Sequence, residues 1–124
     1  MTDFSIETLS AEEIVSLTKE HNFFSWSAQG AVNPIPMTRA KGVYFWDANG
    51  KRYFDLNSQL MCVNIGHGEE RVIKAIQDQA AELAYAGPSM ATKVRAEIGR
   101  ELAEVTPGDL KKFFFTLGGA EANE

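Results

Sequence analysis

Cysteine and histidine are scarce in this chain: Cys62 stands alone, and His21 and His67 are the only histidines. One cysteine excludes an internal disulfide, and three such residues give no ligand spacing for a metal centre. Basic clusters are also missing, since Lys51-Arg52 and Lys111-Lys112 are the only adjacent basic pairs. With a formal net charge of −5, the chain gains no counterion-release energy from a polyanion, which sets nucleic acid and anionic membrane surfaces aside as partners. No stretch approaches the ~20 consecutive apolar residues that a membrane-spanning helix needs. Residues 1–14 carry neither the basic opening nor the apolar run of a secretory leader, so the expected home is a reducing cytoplasm. Nor is there a Ser-His-Asp order with a strand-to-helix nucleophile turn.

What is present is the composition of a folded globular protein, 44% hydrophobic and 23% charged, in a length that supports one modest domain. Ser10 followed by Glu13 forms a capping-box pattern ahead of Ile14, Val15 and Leu17, which predicts a first helix ending near His21. Residues 23–36 read as an irregular aromatic loop, because Pro34 and Pro36 hold the backbone extended and donate nothing to a ladder. A β-hairpin is predicted over 42–56, its β-rich runs separated by Asp47-Ala48-Asn49-Gly50. Residues 60–65 suggest a further short strand closed by Gly66-His67-Gly68. Val72, Ile73, Ile76, Ala80 and Leu83 recur at helical spacing, predicting a helix over 69–85 that Gly87-Pro88-Ser89 breaks. Val94, Ile98, Leu102 and Val105 mark a third helix stopping before Thr106. Residues 112–117 then form an apolar run of the kind buried on both faces of a parallel sheet. No repeat or low-complexity tract interrupts this order.

The chain closes on Gly118-Gly119-Ala120 and then good helix formers. Strand, glycine turn and helix start make an arrangement that binds phosphate: the first N–H groups of a helix lack internal partners and lie at the positive end of its dipole. Taken alone, the pair has a blander reading, because many such connections carry glycine where a left-handed residue is needed. Both readings stand on those residues alone.

The ordered set is more specific. Gly42-Val43-Tyr44-Phe45-Trp46-Asp47, Asn49-Gly50, Tyr53-Phe54-Asp55, Gly66-His67-Gly68, the helix containing Gln79, and Phe115-Thr116-Leu117-Gly118-Gly119-Ala120-Glu121-Ala122-Asn123-Glu124 together resemble the start of a class III, or ω-amino-acid, aminotransferase. The resemblance covers about residues 20–124. It implies an α/β architecture, the N-terminal part of fold type I of the pyridoxal-phosphate (PLP) dependent transferases. On that basis residues 1–65 supply the N-terminal helix, loop and β-hairpin of a small domain, and residues 66–124 begin the large PLP-binding domain around a mainly parallel sheet. A homodimer with shared active sites is implied as well.

Roles carry over only at matching positions. Gly118, Gly119 and Ala120 match the turn whose amides hold the cofactor phosphate; Ala120, lacking a hydroxyl, can contribute only its N–H. Leu60 and Met61 match a stretch lining the substrate pocket, often with an aromatic where Met61 stands, and this departure implies a differently shaped pocket. Glu121 and Asn123 could bond near the cofactor or cap the helix dipole. Tyr85, Gly87, Pro88 and Ser89 match a segment that reaches the neighbouring active site, against the simpler reading of a helix-terminating turn. Phe23, Phe24 and Trp26 could line a pocket entrance, or serve a dimer contact or plain packing. His67 reads as a structural or capping residue, and Cys62 as a small buried hydrophobe.

In this family an amino group passes from an ω-amino acid or amine to a 2-oxo acid such as pyruvate. The Schiff-base lysine lies far downstream of the phosphate turn, whereas every lysine here, Lys112 included, precedes it. The catalytic lysine, the pyridinium carboxylate and the substrate-carboxylate arginine are therefore expected beyond Glu124, and the 124 residues alone are expected to be inactive. A chain ending on the first turn of a helix is itself expected to be a truncated one, since so short a helix is unstable in isolation. The alternatives are a non-catalytic interaction module and a related PLP aminomutase or decarboxylase, for which the same early motifs would serve.

Overall fold

The computed structural model describes residues 9–124, and residues 1–8 lie outside the described residues. The chain forms two compact units, one running to Asp78 and the other from Gln79 to Glu124.

The first unit opens with α1 (Ala11–His21). Its start follows from the capping box: Ser10 Oγ accepts from the Glu13 N–H, and Glu13 Oε2 accepts from the Ser10 N–H at 2.8 Å. These two bonds satisfy donors that the helix cannot. The Ser10 backbone N–H, and secondly its side chain, also hold the Glu13 carboxyl below its ordinary value. After a 3-10 turn (Gln29–Ala31) come β1 (Met37–Lys41), β2 (Tyr44–Asp47) and β3 (Arg52–Phe54), an antiparallel sheet in the order β1-β2-β3. The expected hairpin is β2 and β3. β1 is an addition to the sequence reading, placed by a two-residue loop, Gly42-Val43, that closes the Lys41 to Tyr44 pair. Gly42 has φ +60°, the left-handed setting such tight hairpin loops require at their first position. A bulge lies between Met37 and Arg39.

Side-chain pairs across the sheet explain its register. Phe45 stacks on Tyr53 with centroids 4.9 Å apart, and Tyr44 meets Phe54 at 4.6 Å. Arg39 covers the ring of its partner Trp46 at 4.1 Å, and Arg52 reaches diagonally past its own partner Trp46 to cover Tyr44 at 4.5 Å, so both direct and diagonal cross-strand neighbours are in contact. Among the described residues, Ala11 is the one buried apolar side chain and Asp47 the one buried polar one. Asp47 Oδ1 accepts from the N–H groups of Asn49 (3.0 Å) and Lys51 (2.9 Å), and Oδ2 from the Tyr53 hydroxyl (2.9 Å). Burial pushes this carboxyl up, but those hydrogen bonds outweigh it and leave the group below its ordinary value.

Residues 60–65 do not form the expected strand. Ser58–Met61 is instead a single helical turn, α2, with φ of +52°, +47°, +61° and +64° in succession. The turn is therefore left-handed, closed by Met61 N–H to Asn57 O (2.8 Å) and Cys62 N–H to Ser58 O (2.9 Å). Cys62, expected as a buried hydrophobe, is exposed just after it.

Helix α3 (Glu70–Glu82) is shorter than the predicted 69–85. Its last turn is tied off when the Gln79 side-chain amide donates to Leu83 O at 2.9 Å. In the second unit, Thr92 caps α4 (Lys93–Val105), and the Thr106 hydroxyl donates back to Leu102 O at 2.7 Å where the helix stops. Residues 112–117, expected as a strand, carry no ladder: Phe114 and Leu117 are fully or nearly fully exposed. An apolar run becomes a strand only when neighbours take its N–H and C=O groups, and no such neighbour exists among the described residues. No helix described here is long and apolar enough to cross a membrane.

Candidate functional site

Two places carry the residues singled out from the sequence. They belong to different compact units.

In the first unit, Leu60 lines an open cleft of 860 Å³ together with Phe45, Phe54, Asp55, Asn57 and Gln59. Met61 follows on the same turn, is 72% exposed, and is not part of that wall. The left-handed backbone decides which of the two faces the cleft. Each L-residue in this region costs roughly 1–2 kcal/mol, and four non-glycine residues in a row hold it only if the surroundings over-determine it.

Asp55 is central to that determination. Its Oδ1 accepts from the Gln59 N–H at 3.2 Å, inside the turn, and its Oδ2 meets His67 Nε2 at 2.6 Å. The side chains are 4% and 11% exposed respectively. Burial pushes the Asp55 carboxyl up, yet the bonds from His67 and Gln59 outweigh it, leaving the group below the ordinary carboxylate value. An ionised carboxylate only accepts, so the Nε2 nitrogen of His67 carries the hydrogen. His67 is fixed in turn by its main chain, whose N–H and C=O both bond to Gly42 at 2.8 Å. The structural role read for His67 is what the geometry shows.

In the second unit, α5 (Gly119–Asn123) begins the terminal segment. Gly118 is the N-cap residue, with φ −162° and no side chain capping the helix. Neither Gly118 nor Gly119 has positive φ. The left-handed requirement that would account for these glycines without a ligand is therefore absent. A Cβ on Gly119 would meet nothing within 4 Å, and one on Gly118 would meet only the flexible Glu121 Oε2 at 3.0 Å. The N–H groups of Gly119, Ala120 and Glu121 have no partner inside their helix. A set of unpartnered amides at a helix start, with the flexible Glu121 side chain the one group lying over Gly118, is what a phosphate group fits once that side chain swings aside.

The neighbours resolve more plainly. Asn123 Nδ2 donates to Gly119 O at 2.7 Å, so it is turned back onto its own helix, and Glu121 lies over Gly118 at the positive end of the dipole. Residues 87–90 form a turn, Met90 N–H to Gly87 O at 3.0 Å, between α3 and α4, with Tyr85 exposed beside it. Phe23 and Trp26 are exposed, and Trp26 has φ +57°. The loop that carries them is braced by Gln29, whose side chain bonds to both the N–H and the C=O of Phe24. Sequence reasoning gave no role to Asp55 or Gln29; Asp55 bonds to residues four and twelve positions on, and Gln29 to one five positions back, separations that form no recognisable pattern in sequence.

Comparison with known proteins agrees with this geometry. The family described as Aminotransferase class-III matches residues 26–124. The putrescine–pyruvate aminotransferase of Pseudomonas aeruginosa is 36% identical over 96% of this chain and 27% of its own length. A taurine:2-oxoglutarate aminotransferase from Bifidobacterium kashiwanohense, solved in complex with PLP and glutamate, superposes with a TM-score of 0.87 at 38% identity, over 95% of this chain and 26% of that one. An (S)-enantioselective ω-transaminase from Thermomicrobium roseum gives 0.88 at 36% identity, over 95% and 28%. The chain belongs to the class III aminotransferase family, and its fold is that of the N-terminal part of these PLP-dependent α/β enzymes. Family membership and the cofactor seen in the taurine enzyme indicate pyridoxal phosphate. The chain spans about a quarter of the length of the relatives it matches.

Proposed function

We propose that this chain supplies the opening part of a PLP-dependent aminotransferase that moves an amino group from an ω-amino acid or amine to a 2-oxo acid such as pyruvate. The observation that carries the reading is the family match over residues 26–124, joined to a glycine pair that the backbone does not require. The names of the relatives, a putrescine–pyruvate and a taurine:2-oxoglutarate enzyme, support the ω-amine class of donor.

On this reading Gly118, Gly119 and Ala120 present backbone N–H groups to the cofactor phosphate, anchoring it by charge-assisted hydrogen bonds and the helix dipole. When bound, PLP supplies the electron sink for proton movement at the amine carbon. Leu60 shapes the cleft wall, while Met61, just beyond it, bounds the pocket in the assembled enzyme. The residue that bonds covalently to the cofactor and the group that holds the substrate carboxylate belong to sequence after Glu124. A division into a small domain over 1–65 and a large one from 66 onward, a homodimer with shared active sites, and a cytoplasmic location complete the proposal.

The test is made on the polypeptide extended to its natural stop codon. PLP is added and the imine is reduced with borohydride; amino transfer is then assayed from putrescine, taurine and β-alanine to pyruvate and 2-oxoglutarate. Cofactor attached to one lysine downstream of Glu124, with transfer from at least one amine, is expected. Absence of a lysine adduct sinks the enzyme reading and leaves an interaction module in its place. An adduct whose only product is an isomerised or decarboxylated amine identifies the aminomutase or decarboxylase alternative.

A further inference from the structure

Four consecutive non-glycine residues in the left-handed region need a brace, and the structure contains one that reaches across the first unit. His67 is locked to the Gly42 backbone by two main-chain hydrogen bonds of 2.8 Å. Its ring reaches Asp55 Oδ2 at 2.6 Å, and Asp55 Oδ1 receives the Gln59 N–H from inside the turn. Asp55 is itself held by its own N–H to Val43 O at 2.9 Å. The β1–β2 hairpin loop, His67, Asp55 and the turn thus form one continuous chain of hydrogen bonds, and its two side chains are almost wholly shielded from water. Asp55, Gln59 and Leu60 all face the same cleft.

We propose that His67 is a positioning residue for substrate recognition: through Asp55 it holds Ser58–Met61 in its left-handed form and so fixes where Leu60 stands in the cleft that receives the amino donor. The inference rests on the aminotransferase reading for the nature of the ligand; the brace itself rests on geometry alone. Without the Nε2 donor, Asp55 keeps only one strong partner and swings toward water. The turn then relaxes toward right-handed backbone, which redirects Leu60 and Met61. None of the hydrogen bonds of the brace involves a group of the phosphate turn, so cofactor affinity is not expected to follow.

The experiment uses the full-length polypeptide with His67→Phe, which keeps the ring and removes the donor, and His67→Gln, whose amide nitrogen takes the place of Nε2. Hydrogen exchange is followed in a peptide spanning residues 57–63, whose Met61 and Cys62 amides close the turn, and PLP affinity, donor KM and kcat are measured alongside. H67F is expected to speed exchange in that peptide and to raise donor KM about tenfold or more, the worth of a lost hydrogen bond to a charged group. PLP affinity should stay within about twofold, a window much narrower than that loss, and H67Q should restore both other readings. A general structural role would weaken PLP binding along with the rise in donor KM, and that result overturns the proposal. So does unchanged exchange, or failure of H67Q to rescue. If H67F does not fold, His67→Asn gives the same contrast with H67Q, because its shorter amide cannot reach Asp55. Exchange requires no turnover: an inactive wild type with the expected exchange pattern defeats the aminotransferase reading and leaves the brace standing.

Discussion

Replacing Gly119 by alanine separates what the fold needs from what a phosphate needs. In the structure the new Cβ meets nothing within 4 Å, and the backbone is not left-handed. Without ligand the substitution is therefore free of strain, and removing a glycine from the first helical turn gains up to about 0.5–1 kcal/mol. A phosphate accepting from the Gly119 and Ala120 amides at the usual ~2.9 Å leaves little room for a methyl group beside it. Loss of one hydrogen bond to a charged group costs about 1.5–3 kcal/mol, which is roughly 10- to 150-fold in Kd. The assay is PLP titration into the apo form of the full-length polypeptide, followed by fluorescence quenching, with a thermal melt of the same sample without cofactor. Expected is an apo melting temperature equal to or above wild type, with weakened PLP binding. Binding within about twofold of wild type, against a predicted tenfold or more, refutes the reasoning, because the glycine would then serve neither backbone nor ligand. A lowered apo melting temperature would show instead that the fold does require it.

Other consequences follow from the same geometry. Ala120→Ser adds a hydroxyl beside the amide cradle and is expected to tighten PLP binding, by about 2- to 10-fold for one added hydrogen bond of ~0.5–1.5 kcal/mol, measured by the same titration. Gly42→Ala, at φ +60° with open space around the new Cβ, is expected to cost about 1–2 kcal/mol through backbone strain alone, read as a lower urea midpoint of the full-length protein with an unchanged m-value. Tyr53→Phe removes the hydroxyl bond that helps hold the Asp47 carboxyl below its ordinary value. A depressed folded value gives stability that is present above the unfolded value of ~3.9 and lost as pH falls through the folded one. Y53F should therefore be less stable than wild type at neutral pH, and the difference should close as pH drops below about 4. A gap that persists into acid would place the loss in packing rather than in the carboxylate.

What the sequence revealed depended on whether the cause was local. The capping box of α1 and the hairpin of β2 and β3 are encoded in neighbouring residues, and both stand where the sequence predicts them. β1 is not legible in sequence because Met37-Thr38-Arg39-Ala40-Lys41 has no apolar alternation; it is an edge strand, largely exposed. Its pairing comes from the Gly42-Val43 loop and from Arg39 lying over Trp46, a relation between strands. The apolar run over 60–65 suggests a strand for the opposite reason. Composition reports a preference for burial, and nothing in Ser58-Gln59-Leu60-Met61 marks a left-handed turn imposed by Asp55. The run over 112–117 promises a strand in the same way, but a promise of pairing is met only by partners elsewhere in sequence.

The glycine pair shows where the two kinds of information must be joined. Sequence alone left two explanations for Gly118-Gly119, a backbone that no other residue adopts or a ligand that comes too close for a side chain. Torsion angles remove the first: Gly118 is extended and Gly119 is not left-handed, conformations open to any residue. By contrast, the glycines at 42, 50, 66, 68 and 108 all have positive φ and need no ligand to account for them. A phosphate at the cradle therefore makes a prediction that a structural turn does not: side chains at 118 and 119 are tolerated by the apo fold and opposed by the cofactor. The same logic, inverted, applies at Ser58–Met61, where residues that do not need to be left-handed are held so, and the force that holds them is traced to His67 and Asp55.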